Sequence, residues 1–178
     1  GTDSAAVARG EGNMWVADLK GNPGSAVAYK GCSLQPATRY FWQVAVTGPD
    51  GKTEKSAVAS FETGIMDTWH ASWISDHHGK EYHGAPYFRR DFKVTKPVES
   101  ARLYVAAGGL SVVTLNGERV GDRFLEPAYT RYDRRVTYSS YDVTGLLRRG
   151  ENVAGVVLGN GWYNHQAKAV WDYDNAPW

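Results

Sequence analysis

Apolar and polar residues alternate with a period of two in three short runs in the first part of the chain. The runs are residues 26–29, 39–46 and 57–61. This period predicts β-strands with one buried face, because successive side chains of a strand point to opposite sides. In the longest run, the residues predicted to share one face are Tyr40, Trp42, Val44 and Val46. Residues 48–51 predict a hairpin turn, because Asp50 tolerates a tight turn and Gly51 supplies a positive φ.

A second series of strand-like runs follows a less patterned stretch. The predicted strands are residues 87–94, 101–106, 111–115, 118–120, 136–141 and 153–158. Asn116-Gly117 between the third and fourth predicts a tight hairpin, since a type I′ turn needs positive φ at both positions. The single helical turn predicted for the chain lies at 142–147, where Asp142 would cap it.

These patterns predict an all-β chain of two consecutive antiparallel β-sandwich domains with very little helix. The first domain would occupy residues 1–64, a linker and lead-in loop 65–85, and the second domain 86–178. We predict about three strands in the first domain and six in the second, whereas roughly seven are usual for each sandwich. We therefore expect both domains to be incomplete.

Composition narrows the range of partners. The net charge is +1, so no broad basic surface indicates nucleic acid or an anionic membrane. No apolar stretch is long enough for a membrane span, and the single cysteine excludes an internal disulfide framework. The aromatic share of 13%, with seven Trp and eleven Tyr, suits sandwich cores and surfaces that stack on ligand rings.

A motif in the first part of the chain resembles the last strands of a fibronectin type III domain. The resemblance rests on Leu34-x-Pro36-x-Thr38-x-Tyr40-x-Trp42, followed by Phe61-Glu62-Thr63-Gly64. It implies that a Tyr and a Trp of this motif pack into the sandwich. Because this fold hosts many functions, the motif is better evidence for the fold of the first domain than for its activity.

An ordered series of motifs in the second part resembles the N-terminal sandwich of bacterial α-L-rhamnosidases, and with the first motif the resemblance covers residues 26–178. The motifs are Trp69-x-Ala71-x-Trp73-Ile74, Pro86-Tyr87-Phe88-Arg89-Arg90-x-Phe92, 101–105, 115–122, Leu125-Glu126-Pro127, 138–144 and Leu158-Gly159-Asn160-Gly161-Trp162-Tyr163. The resemblance implies an inverting glycoside hydrolase that removes terminal α-L-rhamnose from glycans. In that family both catalytic carboxylates come from a separate (α/α)6 barrel. We therefore expect no catalytic residue in this chain.

The segment 158–178 is the most ligand-like part of the sequence. It combines rings with amides, and sugars are bound by this pairing because their C–H faces stack on rings while their hydroxyls bond to planar polar groups. The candidate sugar-binding residues are Asn160, Trp162, Tyr163, Asn164 and Trp171. The alternative is a structural loop that covers the sandwich or docks on the barrel.

The sequence evidence for a metal site or for catalytic acids and bases is weaker than the evidence for sugar binding. Asp172, Asp174 and Asn175 offer closely spaced oxygen ligands for Ca²⁺, although they do not match an EF-hand loop. His70, His77, His78 and His83 match no zinc motif, and we interpret them as solvated loop residues. Glu126 and Asp133 could be mistaken for a carboxylate pair, but nothing in the sequence places them in a shared cleft, so neither is expected to act in catalysis.

The sequence leaves three functional hypotheses. The first is a non-catalytic accessory region that binds or positions a rhamnose-containing glycan for the catalytic domain of the same polypeptide. The second is a purely structural spacer that packs on the barrel, and the third is a stand-alone sugar-binding module. Because a glycan-degrading enzyme works on external substrates, we expect an extracytoplasmic, periplasmic or secreted, location.

Overall fold

Strand pairing is antiparallel wherever it occurs in the described part of the chain. The computed structural model describes residues 1–21, 24, 26–66, 69–79 and 81–164. The chain divides into two compact units, residues 1–73 and 74–178. The all-β prediction is confirmed. Within the described residues, no helix is long and apolar enough to cross a membrane.

The first unit begins with a short helix that the sequence did not predict. Helix α1 spans Ser4–Arg9, and the Asp3 carboxylate accepts a hydrogen bond of 2.8 Å from the N–H of Ala6. Gly10 ends the helix in the left-handed region, at φ 87°. Six residues are too few for a 3.6-residue period to stand out, although the capping residues at both ends are the expected types.

The strands of the first unit form two small sheets. Strand β1 (Arg39–Trp42) pairs with β4 (Ala59–Glu62), and β2 (Ala45–Thr47) pairs with β3 (Thr53–Lys55). The predicted hairpin at 48–51 is confirmed, since it joins β2 to β3 and Gly51 has φ 77°. The predicted strand at 26–29 is wrong, because these described residues have irregular backbone.

The predicted single strand at 39–46 is also wrong, because it is two strands in two sheets. At the break, the N–H of Val44 bonds to the Ser56 hydroxyl at 3.1 Å, while the Ser56 N–H bonds to the Val44 carbonyl at 2.9 Å. The buried face predicted for this run is lost beyond the break. Tyr40 is 3% exposed, whereas Trp42, Val44 and Val46 are 49%, 47% and 63% exposed.

Tyr40 anchors the core of the first unit. Its ring stacks on Phe61 with centroids 5.6 Å apart, and its hydroxyl accepts a hydrogen bond of 2.8 Å from the N–H of Gln35. A tyrosine near the start of a strand that bonds back to the upstream backbone is a tyrosine corner, a feature of immunoglobulin-like sandwiches.

The second unit contains a four-stranded and a two-stranded sheet. The larger sheet has the order β5-β10-β7-β8, and the smaller pairs β6 with β9. The strands are β5 (Tyr87–Val94), β6 (Arg102–Ala106), β7 (Leu110–Leu115), β8 (Glu118–Arg119), β9 (Tyr138–Asp142) and β10 (Gly150–Gly159). All six were predicted, with ends that shift by up to three residues.

Side chains from both sheets meet in the core of the second unit. Its buried centre consists of Val113, Leu115, Val120 and Val143. The partly buried side chains around it come from the larger sheet, such as Phe92 and Val156, and from the smaller, such as Leu103 and Tyr141. The two sheets therefore form the two layers of a sandwich-like unit.

Two predicted turns are present in the second unit. Asn116 and Gly117 have φ 53° and 87°, as a type I′ turn requires, and they join β7 to β8. A 3-10 helix spans Thr144–Leu146, and the Asp142 carboxylate accepts a hydrogen bond of 3.0 Å from the Thr144 N–H. The predicted turn is present, but the predicted cap is wrong, because Val143 occupies the N-cap position and Asp142 only accepts a hydrogen bond from the backbone beside it.

Candidate functional site

The chain reverses direction after β10 and presents two aromatic side chains at the end of the larger sheet. The N–H groups of Tyr163 and Asn164 both bond to the carbonyl of Asn160, each at 3.2 Å. Gly161 in this turn has φ 51°, a conformation that favours glycine. The turn therefore holds Asn160, Trp162, Tyr163 and Asn164 within five residues of backbone.

Two tyrosines from the loop before β9 complete a group of four rings, which we call the aromatic cluster: Tyr129, Tyr132, Trp162 and Tyr163. The ring centroids are 6.3 Å apart for Tyr129 and Trp162, 5.7 Å for Tyr129 and Tyr132, and 5.4 Å for Tyr132 and Tyr163. All three contacts are edge-to-face, which is a favoured geometry for aromatic pairs. The cluster joins two loops into one surface.

The outer and inner rings of the aromatic cluster differ in exposure. Trp162 is 55% exposed and Tyr129 is 63% exposed, while Tyr132 and Tyr163 are half-buried. Burial raises the pKa of the Tyr132 hydroxyl above its ordinary value of 10.0. Tyr132 contacts the exposed Tyr129 and the half-buried Tyr163, so it links the outer and inner rings of the cluster.

Two glycines allow this close packing. A Cβ atom on Gly108 would lie 3.0 Å from the Tyr163 ring, and one on Gly109 would lie 2.4 Å from the Gly159 carbonyl oxygen. The turn before β7 can therefore approach the turn after β10 only because both residues lack a side chain.

A pocket of about 190 Å³ adjoins the aromatic cluster on the Tyr163 side. Its lining includes Asn160, Tyr163 and Asn164 from the turn, and Asp76, His78 and Tyr82 from the loop before β5. The Asn164 amide lies 3.5 Å from the Asn160 side-chain oxygen. The pocket therefore offers ring faces, amides and a carboxylate to one small ligand.

The structure brings together four of the predicted sugar-binding residues, namely Asn160, Trp162, Tyr163 and Asn164. Trp171 and the predicted calcium ligands Asp172, Asp174 and Asn175 lie outside the described residues. Across the residues that are described, no group of three His, Cys, Asp or Glu side chains is placed to hold a metal ion. The Ca²⁺ site stays a prediction from sequence.

Sequence reasoning missed the partners of these residues. Tyr129 and Tyr132 lie about 30 positions before Trp162, a separation at which no periodicity pairs them. His78 was interpreted as a solvated loop residue, and its side chain is indeed 54% exposed. It also bonds to Asp76 and stacks on Tyr82, which the spacing of the histidines did not indicate.

The two acidic residues judged non-catalytic have neighbours that neutralise them. Glu126 accepts a short hydrogen bond from the Tyr141 hydroxyl and pairs with Arg123 at 3.0 Å. Asp133 is bound by the guanidinium of Arg131 through bonds of 2.8 and 3.0 Å. Both carboxylates therefore form ion pairs with arginine side chains.

Comparison with known protein families finds matches in both units. Residues 96–178 match the family described as α-L-rhamnosidase N-terminal domain. Residues 6–67 match the family described as Rha78A-like, N-terminal immunoglobulin domain. The second match and the tyrosine corner at Tyr40 both indicate that the first unit is immunoglobulin-like.

Individual relatives agree with the family matches. An α-L-rhamnosidase of Formosa agariphila is 34% identical over 177 residues, which cover 85% of this chain and 19% of the relative. An α-L-rhamnosidase of an Alteromonas species is 32% identical over 89% of this chain and 18% of its own length. This chain therefore spans about a fifth of the length of the curated relatives it matches.

Solved structures give the same result. The structure of an α-L-rhamnosidase from Dictyoglumus thermophilum matches with a TM-score of 0.85 and 33% identity, covering 98% of this chain and 21% of that one. An α-L-rhamnosidase from Aspergillus terreus matches with a TM-score of 0.64 and 36% identity, over 73% of this chain and 16% of that one.

Proposed function

This chain belongs to the N-terminal region of the α-L-rhamnosidase family, and on that premise we propose that it binds and positions glycan for a rhamnosidase without performing chemistry itself. The parent protein would be a glycoside hydrolase that removes terminal α-L-rhamnose from glycans. The catalytic domain of the same polypeptide would be the partner of this region. The proposed place of action is extracytoplasmic, where such glycans occur.

The observation that carries this proposal is the exposed pair Trp162 and Tyr129. Two large rings held at a centroid distance of 6.3 Å, with more than half of each exposed, form a surface on which the C–H face of a sugar can stack. The side-chain amides of Asn160 and Asn164 lie on the same turn as Trp162 and provide donors and acceptors for sugar hydroxyls.

The test is calorimetric titration of the chain with a rhamnose-containing oligosaccharide. We expect Trp162→Ala to weaken binding roughly tenfold, which corresponds to about 1.4 kcal/mol. Trp73→Ala is the matched control, because Trp73 is also an exposed tryptophan (68%, against 55% for Trp162) and belongs to the other unit. Equal affinities for the two variants, or no binding by the unsubstituted chain, would overturn the proposal.

The proposal of a bound calcium ion rests on the sequence alone. Asp172, Asp174 and Asn175 supply oxygen ligands of the kind that Ca²⁺ prefers. If they hold calcium that contacts sugar, EDTA will abolish binding and added Ca²⁺ will restore it. Binding that is unchanged by EDTA would exclude a calcium-dependent mode and leave the aromatic cluster as the binding surface.

A structural spacer is the second candidate function, and a specific observation favours it. Phe124 and Leu125 are consecutive apolar side chains with 75% and 77% of their surface exposed. Such neighbours on a surface suit docking against another part of a protein. This candidate predicts that Phe124→Ser lowers the Tm of the full-length parent protein, while the 178-residue chain keeps its own Tm and binds no saccharide.

The proposal also assigns each unit to a more specific class of domain. The motif at 34–42 suggests that the first unit is fibronectin type III-like, and the ligand-rich turn at 160–164 suggests that the second is a carbohydrate-binding module. The tyrosine corner supports the immunoglobulin-like class that contains both names.

A further inference from the structure

The loop before β5 forms one wall of the pocket. Its pocket-lining side chains do not belong to the aromatic cluster. The His78 imidazole stacks on the Tyr82 ring with centroids 3.9 Å apart and planes within 10°. The Asp76 carboxylate bonds to His78 twice, at 2.8 Å to Nδ1 and at 3.2 Å to the backbone N–H. These three side chains are therefore held as a unit at the pocket.

This unit presents hydrogen-bonding groups to the pocket. The Asp76 carboxylate engages Nδ1 of His78, which leaves Nε2 as the ring nitrogen that can bond to a sugar hydroxyl, since a hydroxyl both donates and accepts. The hydrogen bond from His78 holds the pKa of the Asp76 carboxyl below its ordinary value of 3.8. Asp76 is therefore charged at neutral pH, and the Asn160 and Asn164 amides add donors and acceptors beside it.

The size and charge of the pocket select among sugars. Its volume of about 190 Å³ is smaller than the roughly 300 Å³ at which pockets for drug-sized ligands begin, so it suits a single ring better than an oligosaccharide. A carboxylate in the wall repels an acidic sugar, whereas it accepts hydrogen bonds from the hydroxyls of a neutral one.

Gly84 sets the position of the Tyr82 ring. A Cβ atom at Gly84 would lie 2.3 Å from the Tyr82 hydroxyl oxygen and 2.4 Å from the ring carbon that bears it. Gly84 also lines the pocket, so its substitution by alanine displaces the Tyr82 ring and adds a methyl group at the pocket wall.

We propose that this pocket is a subsite for one neutral monosaccharide unit, while Trp162 and Tyr129 hold a second unit of the same glycan. This inference rests on the proposed glycan-binding function. Asp76, His78 and Tyr82 would act as specificity residues of that function, and the two binding positions would meet at Tyr163, which lines the pocket and belongs to the aromatic cluster.

The test compares L-rhamnose, a rhamno-oligosaccharide and D-glucuronate in calorimetric titrations of the 178-residue chain. We expect L-rhamnose to bind and glucuronate to bind at least roughly tenfold more weakly. His78→Ala and Gly84→Ala should each weaken L-rhamnose binding about tenfold. His70→Ala is the matched control, because it removes an exposed loop histidine in the other unit.

Trp162→Ala separates the two positions. It should weaken oligosaccharide binding by a larger factor than L-rhamnose binding, because only the oligosaccharide occupies both positions. If Trp162→Ala weakens the oligosaccharide but His78→Ala and Gly84→Ala change nothing, the subsite is overturned and the proposed function stands. If the unsubstituted chain binds no saccharide, the proposed function itself fails.

Discussion

The Tyr40 hydroxyl accepts a hydrogen bond of 2.8 Å from the backbone N–H of Gln35, five residues upstream. Tyr40 is 3% exposed, whereas Gln35 is exposed, so the bond joins a buried ring to the surface backbone. The bond ties the segment that carries Pro36 to the start of β1, and it explains why a tyrosine stands here when phenylalanine would fill the same volume.

Tyr40→Phe should lower the free energy of unfolding of the first unit by about 1 kcal/mol, because a part-buried hydrogen bond from the Gln35 N–H is lost. The matched control is Tyr29→Phe. Tyr29 is 44% exposed and donates to the Cys32 carbonyl at the surface, so its loss should cost less than about 0.5 kcal/mol. Urea denaturation followed by tryptophan fluorescence measures both, and equal costs would refute the corner as an anchor.

Asn152 is fully buried, and its amide joins the turn at 116–117 to the start of β10. Its oxygen accepts from the Arg148 N–H and the Asn116 amide, and its nitrogen donates to the carbonyls of Arg148 and Gly150. Asn152→Ala should therefore cost about 3 kcal/mol or more, since several buried groups lose partners together.

The control for Asn152 is its neighbour Glu151, whose side chain is 72% exposed and pairs with Lys93 at 3.4 Å. Glu151→Ala should change stability by less than about 0.5 kcal/mol. Chemical denaturation measures the free energy of unfolding of both variants. If Asn152→Ala lowers it as little as Glu151→Ala does, the hydrogen bonds of Asn152 do not stabilise the fold.

Gly109 and Gly117 have similar backbone angles, φ 93° and 87°, but different surroundings. At Gly117 a Cβ atom would meet nothing within 4 Å, whereas at Gly109 it would lie 2.4 Å from the Gly159 oxygen. Gly117→Ala should therefore cost only the backbone strain of about 1–2 kcal/mol. Gly109→Ala adds a clash with backbone, and we expect a clearly larger loss of Tm in thermal unfolding.

The Gly109 and Gly117 variants also test the packing of the aromatic cluster, because Gly109 packs against the turn that carries Trp162. Gly109→Ala should change the exposure of that tryptophan and shift the fluorescence spectrum, while Gly117→Ala should leave the spectrum unchanged. Identical spectra and identical Tm values for the two variants would contradict the close approach described above.

Acid should destabilise the second unit through Asp142. Hydrogen bonds from Thr144, with the attraction of Arg102 at 2.8 Å, hold the pKa of the Asp142 carboxyl below its ordinary value of 3.8. A carboxyl whose pKa is lower in the folded state stabilises the fold at every pH above its unfolded pKa, and this contribution is lost as the pH falls through the folded pKa.

Carbon-13 NMR titration of the aspartates should therefore show Asp142 changing charge below pH 3.8. In Asp142→Asn the stability should fall less steeply as the pH is lowered below about 4, because one proton fewer is taken up on unfolding. An unchanged slope in that variant would mean that other carboxyls account for the acid sensitivity.

The sequence by itself determined the features that depend on neighbouring residues. Period-two alternation located β5 at the observed bounds and the other strands of the second unit to within three residues. Positive φ at Asn116 and Gly117 followed from their residue types, and the ligand-rich turn from 160 to 164 was visible as a cluster of rings and amides. Such features need no knowledge of distant contacts.

Tertiary structure decided the rest, because packing between distant segments overrides local preference. The run at 39–46 alternates without interruption, yet the bonds between Val44 and Ser56 divide it between two sheets and leave Trp42 half exposed. Likewise, Tyr129 meets Trp162, and His78 reaches the pocket of Asn160, only after the sheets have assembled. The sequence thus determined which residue types reach the end of β10, and the fold decided which partners turn them into a site.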